Sequence, residues 1–166
     1  LPALRGHILR EAGLDGLCET NDVFVTAGTA EANYLAMMQL LEPEDEVIIE
    51  TPGWPQAGVI SKAIGCTQRR VERKELDDWV FPMNKLKEVI NKRTKMIFVT
   101  NPNNPTGQRF SSEELKTLVE CARSVDAWLI VDEVYAGLEW EGGPRAPSVA
   151  GMYDKGITTG SVSKAL

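Results

Sequence analysis

The stretch Lys95-Met96-Ile97-Phe98-Val99-Thr100-Asn101-Pro102-Asn103-Asn104-Pro105-Thr106-Gly107 sets the pattern of the chain: an apolar run, then a turn crowded with asparagine, proline and glycine. A short apolar run bounded by turn residues reads as a strand buried on both faces. Ser111, with Glu114 three residues on, forms a capping-box pattern that starts a helix to about Ser124. The same unit recurs downstream, where Trp128-Leu129-Ile130-Val131 is a buried strand ending at Asp132. Tyr135 to Gly151 is rich in glycine and proline and is expected to be loop, and Gly156 to Ser161 gives a last strand.

Upstream, Leu1 to Gly13 reads as a helix with Pro2 in its first turn. Asp22-Val23-Phe24-Val25-Thr26 has the composition of a strand, and Ala27-Gly28-Thr29-Ala30 turns it into a helix to about Leu41. Glu46 to Glu50 is the next strand, closed by Thr51-Pro52-Gly53-Trp54-Pro55, and a helix follows from Gln56 to Ile64, capped by Gly65. Cys66 to Glu72 suits an edge strand, and Pro82 opens a further helix. Strands alternating with helices predict an α/β fold with a mostly parallel sheet and helices on both faces. In such sheets ligands sit beyond the carboxyl ends of the strands. Gly28, Trp54, Asn104, Asp132 and Lys164 all follow predicted strands.

The totals narrow the function. Eighteen lysines and arginines stand against 24 acidic residues, with the positive charges scattered, which disfavours a nucleic-acid partner. Cys18, Cys66 and Cys121 are odd in number and far apart, so they suit reduced thiols in the cytoplasm better than a disulfide framework. No apolar run approaches the roughly 18 residues that span a bilayer, so no membrane partner is expected. The length suits one domain, and because the first residue is not methionine the chain reads as processed or cut. His7 is the only histidine, which leaves no histidine metal cluster and no Ser-His-Asp site; the metal expectation is none.

Each candidate residue has an ordinary alternative. Lys164 carries the amine that condenses with carbonyls, and equally suits a solvated surface. Asp132 closes an apolar strand, where a carboxylate needs a cation or donors, and equally suits a loop cap. Asn104 lies in a turn-forming sequence whose prolines fix an amide for donation. Gly28-Thr29-Ala30 opens a helix, whose free N–H groups and partial charge of roughly half a unit receive phosphate. Trp54 offers a flat face for stacking or for plain packing.

Taken in order, Gly28-Thr29-Ala30-Glu31-Ala32, Pro52-Gly53-Trp54, Asn101 to Gly107, Asp132-Glu133-Val134-Tyr135 and Ser161-Val162-Ser163-Lys164 resemble the fold-type-I, class I/II aminotransferases, which use pyridoxal 5′-phosphate. The resemblance implies that Lys164 carries the cofactor covalently and then moves the substrate's α-proton as general base. Asp132 would hold the pyridine nitrogen protonated, making the ring an electron sink. Asn104 and Tyr135 would bind the ring hydroxyl oxygen, Trp54 would stack on the ring, and Thr29, Ala30 and Ser161 would bind phosphate.

The implied activity is transamination between an amino acid and a 2-oxo acid. A carbon–sulfur lyase or an enzyme similar to aminocyclopropane-carboxylate synthase shares these motifs, and a non-catalytic folding or assembly module is a third reading. By the same resemblance, residues 1–166 correspond to part of the cofactor-binding large domain. The small domain and a sheet-completing C-terminal strand are expected to lie outside it. Edges left unpaired in this way predict a homo-oligomer.

Overall fold

The structure, a computed structural model, describes residues 1–138 and 147–165. Its centre is a five-stranded sheet in the order β2-β1-β3-β4-β5. The strands are β1 (Glu46–Thr51), β2 (Thr67–Glu72), β3 (Thr94–Thr100), β4 (Trp128–Asp132) and β5 (Gly156–Thr159). Every pairing is parallel. Helices α1 (Pro2–Glu11), α2 (Thr29–Leu40), α3 (Gln56–Ile64), α4 (Met83–Val89), α5 (Ser112–Ser124) and α6 (Val162–Ala165) complete the described chain. The expected α/β architecture is the one observed.

Side-chain alternation divides the core into two layers. Val47, Ile49, Met96, Phe98 and Ile130 point to one face and meet Met37 of α2 and Ile60 of α3. Ile48, Ile97, Val99, Leu129 and Val131 point to the other and meet Leu86 of α4 and Leu115, Leu118 and Ala122 of α5. Because both faces are covered, the inner strands need apolar residues at every position, which explains their unbroken runs. The i, i+3, i+7 spacing of Leu115, Leu118 and Ala122 is the buried stripe of a helix.

Local signals set the helix ends as read. Ser111 Oγ accepts from Glu114 N–H, and Glu114 accepts in return from Ser111 N–H at 2.8 Å. Gly65 ends α3 in the left-handed region at φ 98°. β2 takes the edge of the sheet, and its exposed positions are polar, which blunts pairing with other chains.

Three readings need correction. Asp22 to Thr26 is not a strand: Thr20–Asp22 is a 3-10 turn, and 23–26 joins no ladder among the described residues. Val23 has extended backbone, but Phe24 is 80% exposed and Val25 41%. Strand propensity without an adjacent strand supplies neither hydrogen bonds nor burial. Next, β5 stops at Thr159, short of the expected end at Ser161, and Lys164 lies on α6. Lastly, the expected loop contains a 3-10 turn at Val149–Gly151 whose Val149 is fully buried; positions 139–146 of that loop lie outside the described residues.

Among the described residues no helix is long and apolar enough to cross a membrane. The three cysteines are free.

Gly156 opens β5 where no side chain fits. A Cβ there would lie 2.3 Å from Val149 O and 2.9 Å from Tyr153 O, both backbone atoms. Gly160, just beyond the strand, has open space in the same position. Gly156→Ala is expected to lose about 1–3 kcal/mol of stability, the usual cost of overpacking. Gly160→Ala should fall within about 0.5 kcal/mol of the parent; urea denaturation of the two variants checks both.

Candidate functional site

Strand order reverses at β1, whose neighbours β2 and β3 are reached by α3 on one face and α4 on the other. This reversal parts the loops at the carboxyl ends and leaves a crevice there. The loop after β1 carries Trp54, and that after β3 carries Asn104. Thr100, Asp132 and Thr159 stand in register at the ends of β3, β4 and β5.

Asp132 is 5% exposed. One carboxylate oxygen accepts from Asn33 Nδ2 at 2.8 Å, and the other from Val134 N–H at 3.0 Å. Burial pushes its carboxyl above the ordinary value, while the Asn33 and Val134 hydrogen bonds oppose the rise. Asn33 is itself fixed by Thr159, whose hydroxyl donates to Asn33 Oδ1 at 2.7 Å. Gln56 Oε1 lies 3.4 Å from Asn33 Nδ2, and Gln56 Nε2 donates to Ala30 O at 2.6 Å, tying α3 to the first turn of α2. No positive side chain is paired with Asp132 among these contacts.

Thr29, at the start of α2, has a buried hydroxyl oxygen with no hydrogen-bond partner. Gly28 precedes it at φ 96°, with nothing within 4 Å of where a Cβ would stand. That conformation favours glycine and leaves the helix N-terminus open. Asn104 Nδ2 donates to Tyr135 Oη at 3.3 Å, which joins the loops after β3 and β4. Ser161 shares a 2.8 Å hydrogen bond with Ser163 and accepts from Ser163 N–H, shaping the turn into α6.

Of the nine residues singled out in the sequence, direct contact joins Asn104 with Tyr135, and an intermediary joins Asp132 to the α2 start through Asn33 and Gln56. Trp54 is 57% exposed, and Lys164 is exposed on α6. Asn33 escaped notice in the sequence. Its signal was there: Thr29, Asn33 and Met37 form the buried stripe of α2 at four-residue spacing, and an asparagine in such a stripe requires a polar partner. Among the described residues no group of three or more His, Cys, Asp or Glu is placed to hold a metal ion.

The pattern of the family described as "Aminotransferase class I and II" matches residues 12–166. The chain belongs to that family. An aspartate aminotransferase of Geobacillus stearothermophilus is 36% identical over 154 residues, covering 90% of this chain and 38% of that protein. Nicotianamine aminotransferase 1 of Oryza sativa subsp. japonica is 30% identical, covering 99% of this chain and 34% of the other. In three dimensions, a PLP-dependent aminotransferase from Streptococcus suis superposes with a TM-score of 0.90 at 33% identity, over 99% of this chain and 42% of that one. The chain thus spans well under half the length of the aminotransferases it matches.

Asp132 also yields a pH prediction. A carboxyl whose value is raised by folding holds its proton more tightly in the folded state, so its ionisation destabilises the fold above the unfolded value and ceases to do so below it. Asp132→Asn removes the ionisation, and Asn33 can turn its amide so that Asn at 132 donates to it while Thr159 accepts. In cofactor-free protein the variant should melt higher than the parent near pH 7. The difference should shrink as pH falls toward the ordinary aspartate value of 3.8. Thermal melts across that range decide it.

Proposed function

We propose that the complete protein is a pyridoxal 5′-phosphate-dependent aminotransferase that moves an amino group between an amino acid and a 2-oxo acid. Residues 1–166 supply the larger share of its cofactor-binding domain. The observation that carries this reading is the buried Asp132 carboxylate at a strand end, held by two donors and lacking a cationic partner among its contacts. A protonated pyridine nitrogen is a cation that fits such a place. Thr29 supplies the second sign of fit, since its buried unpartnered hydroxyl at a helix N-terminus suits a phosphate oxygen.

When bound, the cofactor supplies an electron sink that stabilises negative charge at the substrate's α-carbon. Asp132 would hold the proton on the ring nitrogen. Asn33, fixed by Thr159, aims that carboxylate. Asn104 and Tyr135 would bind the ring hydroxyl oxygen, and Trp54 would stack on the ring. Thr29, Ala30 and Ser161, with the N-terminus left by Gly28, would bind the phosphate. Lys164 would be the amine that anchors the cofactor and the general base for the substrate's α-proton. The relatives named above are aminotransferases, which supports transamination over the lyase readings. We further place the protein in the cytoplasm, in keeping with its free cysteines. We also assign it a homo-oligomeric state, in keeping with exposed Phe24, Tyr34, Leu35 and Met38.

The test is to add pyridoxal 5′-phosphate to the full-length protein, reduce with borohydride and locate the adduct by peptide mass. The expected adduct is confined to Lys164 and lost in Lys164→Ala. Label spread evenly over surface lysines would sink the assignment.

A further inference from the structure

A second buried polar group, away from Asp132, lies beneath the same loops. Glu50 is near the end of β1 and Arg73 immediately follows β2; their side chains are 3% and 1% exposed. Arg73 Nε donates to Glu50 Oε2 at 2.9 Å. Nη2 lies 2.9 Å from the same oxygen, a charge contact that misses hydrogen-bond alignment. The guanidinium stands 5.1 Å from the Phe81 ring centroid and 5.0 Å from that of Phe110, so aromatic faces take the place of water around it.

Each remaining polar atom of the pair reaches a loop. Glu50 Oε1 accepts from Thr100 N–H at 2.6 Å, where the Asn104 loop begins. Arg73 N–H donates to Thr51 O at 2.7 Å, where the Trp54 loop begins. Arg73 Nη1 donates to Trp79 O at 2.9 Å. Asp78 and Trp79 both have left-handed backbone, at φ 50° and 58°, a strained arrangement for non-glycine residues that persists only when surroundings fix it. The two carbonyls of that turn are the ones held: Trp79 O by Arg73, and Asp78 O by Gln108 Nε2 at 2.6 Å. Gln108 belongs to the Asn104 loop, and Asn103 Nδ2 in turn donates to Pro52 O at 3.3 Å. A ring of contacts therefore runs from Glu50 and Arg73 through Trp79, Asp78 and Gln108 to Asn103 and back to Pro52.

We infer that Glu50 and Arg73 are positioning residues that lock the Trp54 and Asn104 loops to each other through the Asp78–Trp79 turn. The consequence for cofactor binding rests on the function proposed above; the coupling of the loops does not. No side chain of this ring is hydrogen-bonded to the Asp132 or Lys164 side chain among the described contacts; the nearest link is Thr100, which Glu50 holds and which pairs with Asp132 across β3 and β4. Its contribution is to set the relative position of two side chains assigned to one ring.

The test uses the full-length protein, with Glu50→Gln and Gln108→Ala as variants. Glu50→Gln leaves Arg73 buried without its counter-charge and is the more severe. Gln108→Ala cuts the ring at a half-exposed amide and keeps the ion pair, so it serves if the first variant fails to fold. Hydrogen exchange read by mass spectrometry should accelerate in peptides covering residues 50–59, 74–82 and 100–110, with β4 and α5 unchanged. The dissociation constant for pyridoxal 5′-phosphate should rise about three- to tenfold, the worth of one lost hydrogen bond, with a shift in the bound cofactor's visible absorbance. Exchange that is unchanged, or faster uniformly across the protein, overturns the inference. Faster loop exchange in a protein whose parent form takes up no cofactor keeps the coupling and overturns the functional reading instead.

Discussion

A carboxylate at the end of a central apolar strand is costly to ionise, and the arrangement around Asp132 limits that cost without removing it. Asn33 and Val134 satisfy one site on each oxygen, while no positive side chain is paired with it among the contacts of this structure. A cation supplied from within the chain is open to this fold: one loop away, the buried Glu50 carboxylate is met by Arg73. A buried acid that retains unspent capacity for a cation is what a site for a cationic ring requires. The cofactor proposed for this site is such a ring.

The sheet explains why these groups can meet. Parallel strands end on one side, so every strand-to-helix loop opens toward the same crevice, and reversal of strand order at β1 parts two of those loops. The two core layers then fix the helices that frame it. Through Gln56 and Ala30, α3 is tied to the start of α2. Through Asn33, α2 is tied to β4 and β5. Packing and polar contacts therefore specify the same geometry, and the site inherits its precision from the sheet rather than from the loops alone.

Much of this was legible in the sequence because the signals are local. The apolar runs of β1, β3 and β4, the Ser111–Glu114 box, Gly65 as a helix stop and the polar edge strand β2 all report on neighbours within a few residues. Asp22 to Thr26 misled because strand composition says nothing about whether a partner strand lies alongside. Asn33 was hidden because its partners, Asp132 and Thr159, are 99 and 126 residues away. Arg73 was hidden because its meeting with Glu50 depends on the β1–β2 register, in which Glu50 faces Val71. Contacts between distant residues become readable only once the topology is known.

The role proposed for Asp132 is to hold a proton on a pyridine nitrogen. The direct measurement is the 15N chemical shift of ring-labelled pyridoxal 5′-phosphate bound to the full-length protein, compared with Asp132→Asn. The expected result is a protonated nitrogen in the parent across neutral pH and an unprotonated one in the variant. A bound cofactor whose ring nitrogen is unprotonated in the parent, or equally protonated in both proteins, would contradict it.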